Sequence, residues 1–582
     1  MTPREAPALL VSAAAAPLLV VLVSAAAGLA AYSPLDALYL VLREPGVLAP
    51  AGGLGEPYYV AHVGSTLLVI VKGVDMGCVA NSVAVALAAA LLATVAAVAA
   101  AGLAYLYSSA RRVLAATLPV SMLSFPFVEA YVVKRLLSVD YGVPALLAGH
   151  GVPVVVVPRG LVGVAIYEAV AVAPYAVAVV FASSLSVPRE EVEAAVQLGA
   201  RGLRLLRLLA SLVKPAIVTS LVFGAILVLD DVSGPIVFSD DPLARGLLSY
   251  RAYRYFISAA TGEVDTRGLG YSLLLLLVSA PLIAAMLALY RRLGDVAAAA
   301  VPRGAPLRGG LAVAAAEALL MAPPLLVRSL SLLYAFTDEW LRSPLPRLGL
   351  EPWRQLLRHP DLLRAALNSA AYSLVVSLSA LLLVASAAWV AGRAAGLASS
   401  LVSTLFTLPA LLPGLVVAYG LYGAYAGRGG LLDPLRSPVP LLLLGYYTRR
   451  SPLLFHAALA ASRAIPSSLY EAARGLGARP LRSYLATVAP LLAATLLPPL
   501  GYMALSVAGE VSLSVTIGGL GGAEGLHHPA PLMYLVASYM GYSGLKYAGV
   551  CAAATLAAYA AALAAVYAGS ALYLALLRKS YR

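Results

Sequence analysis

Long apolar stretches alternate along the chain with short segments rich in Arg, Gly and Pro. A helix rises about 1.5 Å per residue, so about 20 apolar residues cross the roughly 30 Å of hydrocarbon in a bilayer. Twelve stretches reach that length. In the first half they lie near 8–31, 82–107, 113–136, 161–186, 213–237 and 268–290. In the second half they lie near 311–334, 367–391, 397–424, 437–460, 486–509 and 545–577. The pattern predicts an all-α integral membrane protein with about 12 transmembrane helices. The run from Pro7 to Ala31 is too long for the core of a signal peptide and reads as the first span.

The segments between the stretches carry the charge. Arg111 and Arg112 share one, and Arg189, Arg201, Arg204 and Arg207 share another. Arg291, Arg292, Arg303 and Arg308 flank 291–310; Arg463, Arg474, Arg479 and Arg482 form a further cluster; Arg578, Lys579 and Arg582 end the chain. With the N-terminus inside, all of these fall on the cytoplasmic side, as basic loops tend to. Both termini are therefore expected in the cytoplasm and the chain in the plasma membrane, crossing it many times. Segments 32–66, 138–160, 239–266, 336–362 and 518–535 face the other way and are richer in Gly, Pro, Tyr and acids; Arg251, Arg254 and the arginines of 342–358 run against the rule.

Composition narrows the classes further. The chain has 582 residues, of which 61% are apolar and 12% charged, with a net charge of +13. An ordinary soluble domain is about 45–50% apolar and about 25% charged. A soluble enzyme, a disordered protein and a disulfide scaffold are excluded on that ground. No basic face with interleaved aromatics points to nucleic acid. Cys78 and Cys551 have neither metal nor redox spacing and read as small buried residues.

The chain also repeats itself. Pro188-Arg-Glu-Glu-Val-Glu193-Ala194-Ala195-Val-Gln-Leu198-Gly199-Ala200-Arg201 matches Pro466-Ser-Ser-Leu-Tyr-Glu471-Ala472-Ala473-Arg-Gly-Leu476-Gly477-Ala478-Arg479 at a constant offset of 278. Pro174 and Pro452 keep that offset, as do Ser184 and Ser462. Asn81-Ser82 and Asn368-Ser369 each open a long apolar run. An even number of spans per half makes the repeats parallel rather than inverted. The expected division is a first half over 1–291 with a loop at 187–214, a linker over 292–310, and a second half over 311–582 with a loop at 465–490. In each loop a proline opens a short helix, a glycine permits a bend, and a basic amphipathic stretch follows, with Leu203, Leu206 and Leu209 set against Arg201, Arg204 and Arg207 in the first.

Glu-Ala-Ala-x-x-x-Gly-Ala, present twice in basic loops of a multi-span chain, resembles the coupling loop (EAA motif) of ABC importer permeases. The resemblance covers roughly 75–291 and 362–577. It implies the permease fold of that family, with two parallel six-helix repeats. It implies that Glu193, Ala194, Ala195, Gly199 and Arg201, and Glu471, Ala472, Ala473, Gly477 and Arg479, engage two ATP-binding cassette subunits. It implies also a solute-binding protein on the outer face. Pro490 stands where the family tends to place a proline after the glycine, while Pro215 comes three residues late. No G-x-x-x-x-G-K-[ST] run occurs, so ATP and Mg are expected on the partner subunits and no cofactor on this chain. Fused permeases of this length resemble those for ferric iron, and Leu-Asp230-Asp231-Val-Ser-Gly-Pro is similar to an acidic stretch of that group; thiamine and phosphonate are the alternative cargoes. The rival class is a secondary transporter driven by an ion gradient. A membrane enzyme would need a nucleophile–base or metal constellation, and none is found.

Charges within spans are costly, about 2.5–3.5 kcal/mol at the centre, and face cavities or the bundle interior. Glu129, Asp230, Asp231, Glu510 and Ser512 are the candidates for the translocation path. The plainer reading places these acids at helix ends, paired with Arg245, Arg251 or Lys134. Glu317 and Arg328 share a helix face and read as packing residues. His527-His528 reads as a solvated loop, and no metal ligand set is assigned. Pro119, Pro126, Pro409 and Pro413 are candidate helix breaks.

Overall fold

The computed structural model describes residues 5–52, 56–63, 66–258, 265–297, 307–340, 346–394, 397–520 and 529–579. The chain is mostly helical. Among the described residues, eight helices are long and apolar enough to cross a membrane, and up to eleven if three bent pairs each count as one span. The stretch expected at 437–460 lies on helix Val439–Ala464, which is not among these, because Arg449 and Arg450 interrupt its apolar run. The stretch expected at 545–577 is the latter part of one 48-residue helix, Leu532–Lys579. Part of the expected linker, 298–306, lies outside the described residues, as do His527 and His528.

The bent pairs show which prolines break helices. Ser108–Ser121 and Pro126–Leu136 meet at 111°, and Ser399–Leu411 and Gly414–Tyr425 at 95°. Pro126 opens the second helix of its pair and Pro413 caps the second of the other. Proline lacks an N–H and pushes the residue before it out of the helical region, so the ladder stops there. Pro119 and Pro409 sit inside helices instead. Their missing N–H groups fall within the turn and the helix continues.

The two halves embrace each other. The N-terminal helix Glu5–Ala30 packs on Pro360–Ala391, Gly414–Tyr425 and Val439–Ala464, all from the second half. Helix Leu311–Tyr334 packs on Cys78–Leu106, Ser108–Ser121, Pro126–Leu136 and Gly160–Ser184, all from the first. One apolar core accordingly joins Ala89, Phe127 and Val177 to Met321, Val327 and Cys551. The other joins Leu18 and Val21 to Tyr419, Leu454 and Leu500. Close approach of the N-terminal helix depends on glycine. A Cβ on Gly28 would lie 1.8 Å from the Gly420 carbonyl oxygen, and one on Gly420 would lie 2.4 Å from that of Ala25. Small residues of this kind let membrane helices pack backbone to backbone.

The expectation of helices alone misses two small sheets. Strands Tyr58–Val63, Thr66–Val71 and Val154–Pro158 form one, with the first pair antiparallel and the second parallel. Thr337–Glu339 and Arg347–Leu348 form the other. The central strand Thr66–Val71 and its parallel neighbour are almost wholly Val, Leu and Ile, residues that fit a pleated surface. Alternate positions Leu68, Ile70, Val155 and Val157 are buried together on one face.

Candidate functional site

The two Glu-Ala-Ala loops have the same backbone. Pro188 and Pro466 both stand at φ −60, ψ 133, and start helices Arg189–Gln197 and Ser467–Gly475. Leu198 and Leu476 share φ −77, with ψ of 8 and 7. Gly199 and Gly477 then turn left-handed at φ 85 and 86. The Gly199 N–H donates to Val196 O at 3.0 Å and the Ala200 N–H to Ala195 O at 2.9 Å; Gly477 donates to Arg474 O at 3.0 Å and Ala478 to Ala473 O at 3.2 Å. This pair of bonds is the Schellman ending, which needs a left-handed residue after the helix and so selects glycine. A Cβ at either glycine would meet nothing within 4 Å, so the requirement lies in the backbone and not in packing.

Both loops present their tips outward. Glu193, Ala194, Gly199 and Arg201 are exposed, as are Glu471, Ala472, Gly477 and Arg479, while Ala195 and Ala473 are half-buried. Leu198 is 89% exposed and Leu476 is 90% exposed. Each loop thus bares a leucine at the same place, with an exposed arginine, Arg201 or Arg479, three residues on. Arg189 and Glu193 pair at 2.5 Å across one turn. The roots are anchored: Tyr105 donates to Val187 O at 2.8 Å, and Arg393 donates to Ile465 O at 3.1 Å. Beyond the bend the first loop forms helix Leu203–Leu212, buried through Leu205 and Leu209. Of the leucines set against the arginines, Leu203 is 61% exposed and Leu209 is buried. The helix begins at Leu203 and lies across its neighbours on the face four residues apart that starts at Leu205.

Away from the loops, the acids gather at two points. Arg449 is central to the first. Its Nη2 donates to Asp230 at 2.5 Å and its Nη1 to Glu510 at 2.7 Å. Asp230 ends helix Lys214–Asp230 in the first half, while Arg449 and Glu510 belong to the second. Asp230 also accepts the Gly414 N–H at 2.6 Å, at the Pro413 break, and the Ser512 hydroxyl at 3.4 Å. Glu510 accepts the N–H groups of Leu513 and Ser514 at 3.1 and 3.2 Å. The Arg449 and Glu510 side chains are 5% and 0% exposed, but Asp230 retains 19%. A buried cation thus bridges the halves through carboxylates whose remaining lone pairs are satisfied, the arrangement that makes burial of charge tolerable.

Glu129 and Arg328 form a fully buried ion pair at the second point. Glu129 also accepts the Phe125 N–H and so caps the helix after the Pro126 break. Arg328 comes from the helix that crosses over from the second half, and it donates to Ala171 O at 3.4 Å. Asp231 lies nearby, within electrostatic reach of Glu129. It accepts from Ser233 Oγ at 2.8 Å and from the Gly234 N–H at 2.8 Å, and is hydrogen-bonded to the buried Glu168. Arg328 therefore pairs with Glu129 and not with Glu317 along its own helix; among the described residues neither Glu317 oxygen has a hydrogen-bond partner. Lys134 pairs with Asp240 and Arg251 with Tyr271, so neither neutralises Asp230, Asp231 or Glu510.

Arg449 and Glu168 escape the sequence reading, although each is a charged residue inside an expected span and carries the signal that singles out Glu129. Among the described residues no three His, Cys, Asp or Glu side chains converge to hold a metal ion. No known protein-family model matches the chain, and no curated protein matches it.

Proposed function

We propose that the chain is the membrane-spanning permease of an ABC importer, with two parallel six-helix repeats and 12 spans once the arginine-bearing helix Val439–Ala464 is counted. The observation that carries this reading is the pair of exposed Glu-Ala-Ala loops with one shared backbone and one shared bare leucine. Each loop docks on one ATP-binding cassette subunit at the cytoplasmic face, where both termini also lie, and those subunits hold ATP and Mg. A solute-binding protein delivers cargo from the other side of the plasma membrane. Ferric iron is the first cargo to test, followed by thiamine and phosphonate.

The helices supply the levers. Lys214–Asp230 has 17 residues, so about 25 Å separate its loop end from Asp230. Val439–Ala464 runs from Arg449 to the second loop over a similar span. Movement of the loops toward each other on ATP binding turns both helices and works on the Asp230–Arg449–Glu510 bridge between the halves. The bridge parts when the path opens, and partly exposed Asp230 is then the carboxylate that meets solute. Such rigid rocking of two bundles suits a bistable, packed interface.

Gly199→Pro with Gly477→Pro tests this reading. Proline requires φ near −65°, and both positions stand near +85°. The doubly substituted chain is expected to insert normally while ATP hydrolysis by the associated subunits no longer drives uptake. Uptake at the normal rate would refute the assignment of the loops. The rival reading, an ion-gradient transporter, predicts uptake by the chain without any ATPase.

A further inference from the structure

Helix Gly160–Ser184 joins the first Glu-Ala-Ala loop at one end; at its other end lies a cavity of about 320 Å³ that none of the roles above uses. That volume suits a small molecule. Tyr131, Tyr141 and Phe238 give it an aromatic wall. Its charged lining comprises Lys72, Lys134, Arg135 and Arg159 against Asp140, Asp240 and Asp241, an excess of one positive charge. Most of these groups are already engaged. Lys134 holds Asp240 at 2.8 Å and the Val237 carbonyl at 2.8 Å. Lys72 lies 3.6 Å from Asp241. Arg135 stacks over the rings of Tyr141 and Trp340 at 5.0 and 4.9 Å.

Arg159 is different. It is half-buried, and among the described residues its side chain makes no ion pair or hydrogen bond. Asp140, the carboxylate left over, stands on the exposed rim, where water satisfies it. Arg159 is also the residue that precedes helix Gly160–Ser184, and no side chain caps that helix. The helix start itself is already covered: the Val162 N–H donates to the Lys72 carbonyl oxygen at 3.3 Å, and a Cβ on Gly160 would lie 2.9 Å from that oxygen and 3.4 Å from Asp241 Cγ. Arg159 is thus the cation of this cavity that is left for a ligand, opposite the aromatic wall.

We propose that this cavity binds a small organic anion, with its carboxylate or phosphonate held by Arg159 and its apolar body against Tyr131, Tyr141 and Phe238. The site stands on the cavity alone and does not depend on the role given to the loops. Purified full-length chain in lipid nanodiscs, titrated with benzoate, phenylphosphonate and benzylammonium, tests it by calorimetry. The two anions are expected to bind and the ammonium of similar shape is not. Arg159→Gln is expected to weaken benzoate binding about tenfold, the worth of one charge-assisted hydrogen bond, and Arg159→Lys to recover most of it. Asp140→Asn changes only the exposed rim, so it tests the site even if the Arg159 variants fold poorly; removing that negative charge should tighten benzoate binding about twofold. Equal binding of benzylammonium, wild-type benzoate affinity in Arg159→Gln, or no tightening in Asp140→Asn would each overturn the proposal.

Discussion

Among the described residues Arg449 is the one cation paired with Asp230 and Glu510, so removing it leaves both without a counter-charge. Breaking a buried ion pair by deleting one partner costs about 3–5 kcal/mol, because the charge left behind is neither solvated nor paired. Arg449→Leu is therefore expected to lower the melting temperature of the chain in nanodiscs, and Asp230→Asn with Glu510→Gln in the same chain should restore most of the loss. A single variant that melts like the parent would show that the bridge bears no load. Asp433 offers a test by pH. Burial pushes its carboxyl up, but the N–H groups of Gly429, Leu435 and Gly427 pull it down further, and the net shift is downward. Its folded value lies below its unfolded one. Its contribution to the 427–435 turn is thus whole above the ordinary carboxylate value of about 3.9 and is lost as pH falls through the lowered one. On acidification, amide protection at Gly429 and Leu435 should outlast the ordinary carboxylate titration and fail only below it; protection already lost at or above about pH 4 would contradict the shift. At this scale the sequence marked Glu129, Asp230, Asp231 and Glu510 among the acids that gather inside the molecule, but missed Glu168 and the partners of all of them. The cation for Asp230 lies 219 positions away, and that for Glu129 lies 199 away, separations that no local spacing encodes.

Helices announce themselves more readily than their boundaries or neighbours. Runs of about 20 apolar residues marked most of the spans, because burying a helix in lipid demands such a run whatever the fold. The same rule hides the breaks: Pro126 and Pro413 interrupt helices while Pro119 and Pro409 do not, and the difference depends on whether the ladder can continue beyond them. Strand Thr66–Val71 gives no span signal because its five consecutive apolar residues are too few to cross a bilayer. The crossing of the N-terminal helix onto the second half was also hidden, since chain order places it with the first. Its glycines make that contact testable. Gly420→Val puts atoms where the Ala25 carbonyl stands, so the N-terminal helix is expected to lift away. In the parent, Ser24 Oγ lies 2.6 Å from the Tyr425 hydroxyl, so azidophenylalanine in place of Tyr425 should cross-link to the N-terminal helix, and in Gly420→Val the yield should fall several-fold. An unchanged yield would mean that the contact does not depend on close approach.

Taken as a whole, the molecule places two alike, exposed loops at one end of its helices and a charged bridge between its halves part-way along them. The sequence carries no G-x-x-x-x-G-K-[ST] run that would hold a nucleotide phosphate, and the proposal looks for the energy source outside the chain. The proposed account supplies that source from outside, through Leu198, Leu476 and the arginines around them. The most direct test is uptake into proteoliposomes that contain the purified chain, with the cargo-loaded binding protein added outside, and with or without the two ATP-binding subunits and ATP. The account predicts uptake only when both subunits and ATP are present, and none with the chain alone under any ion gradient. Uptake by the chain alone would contradict it.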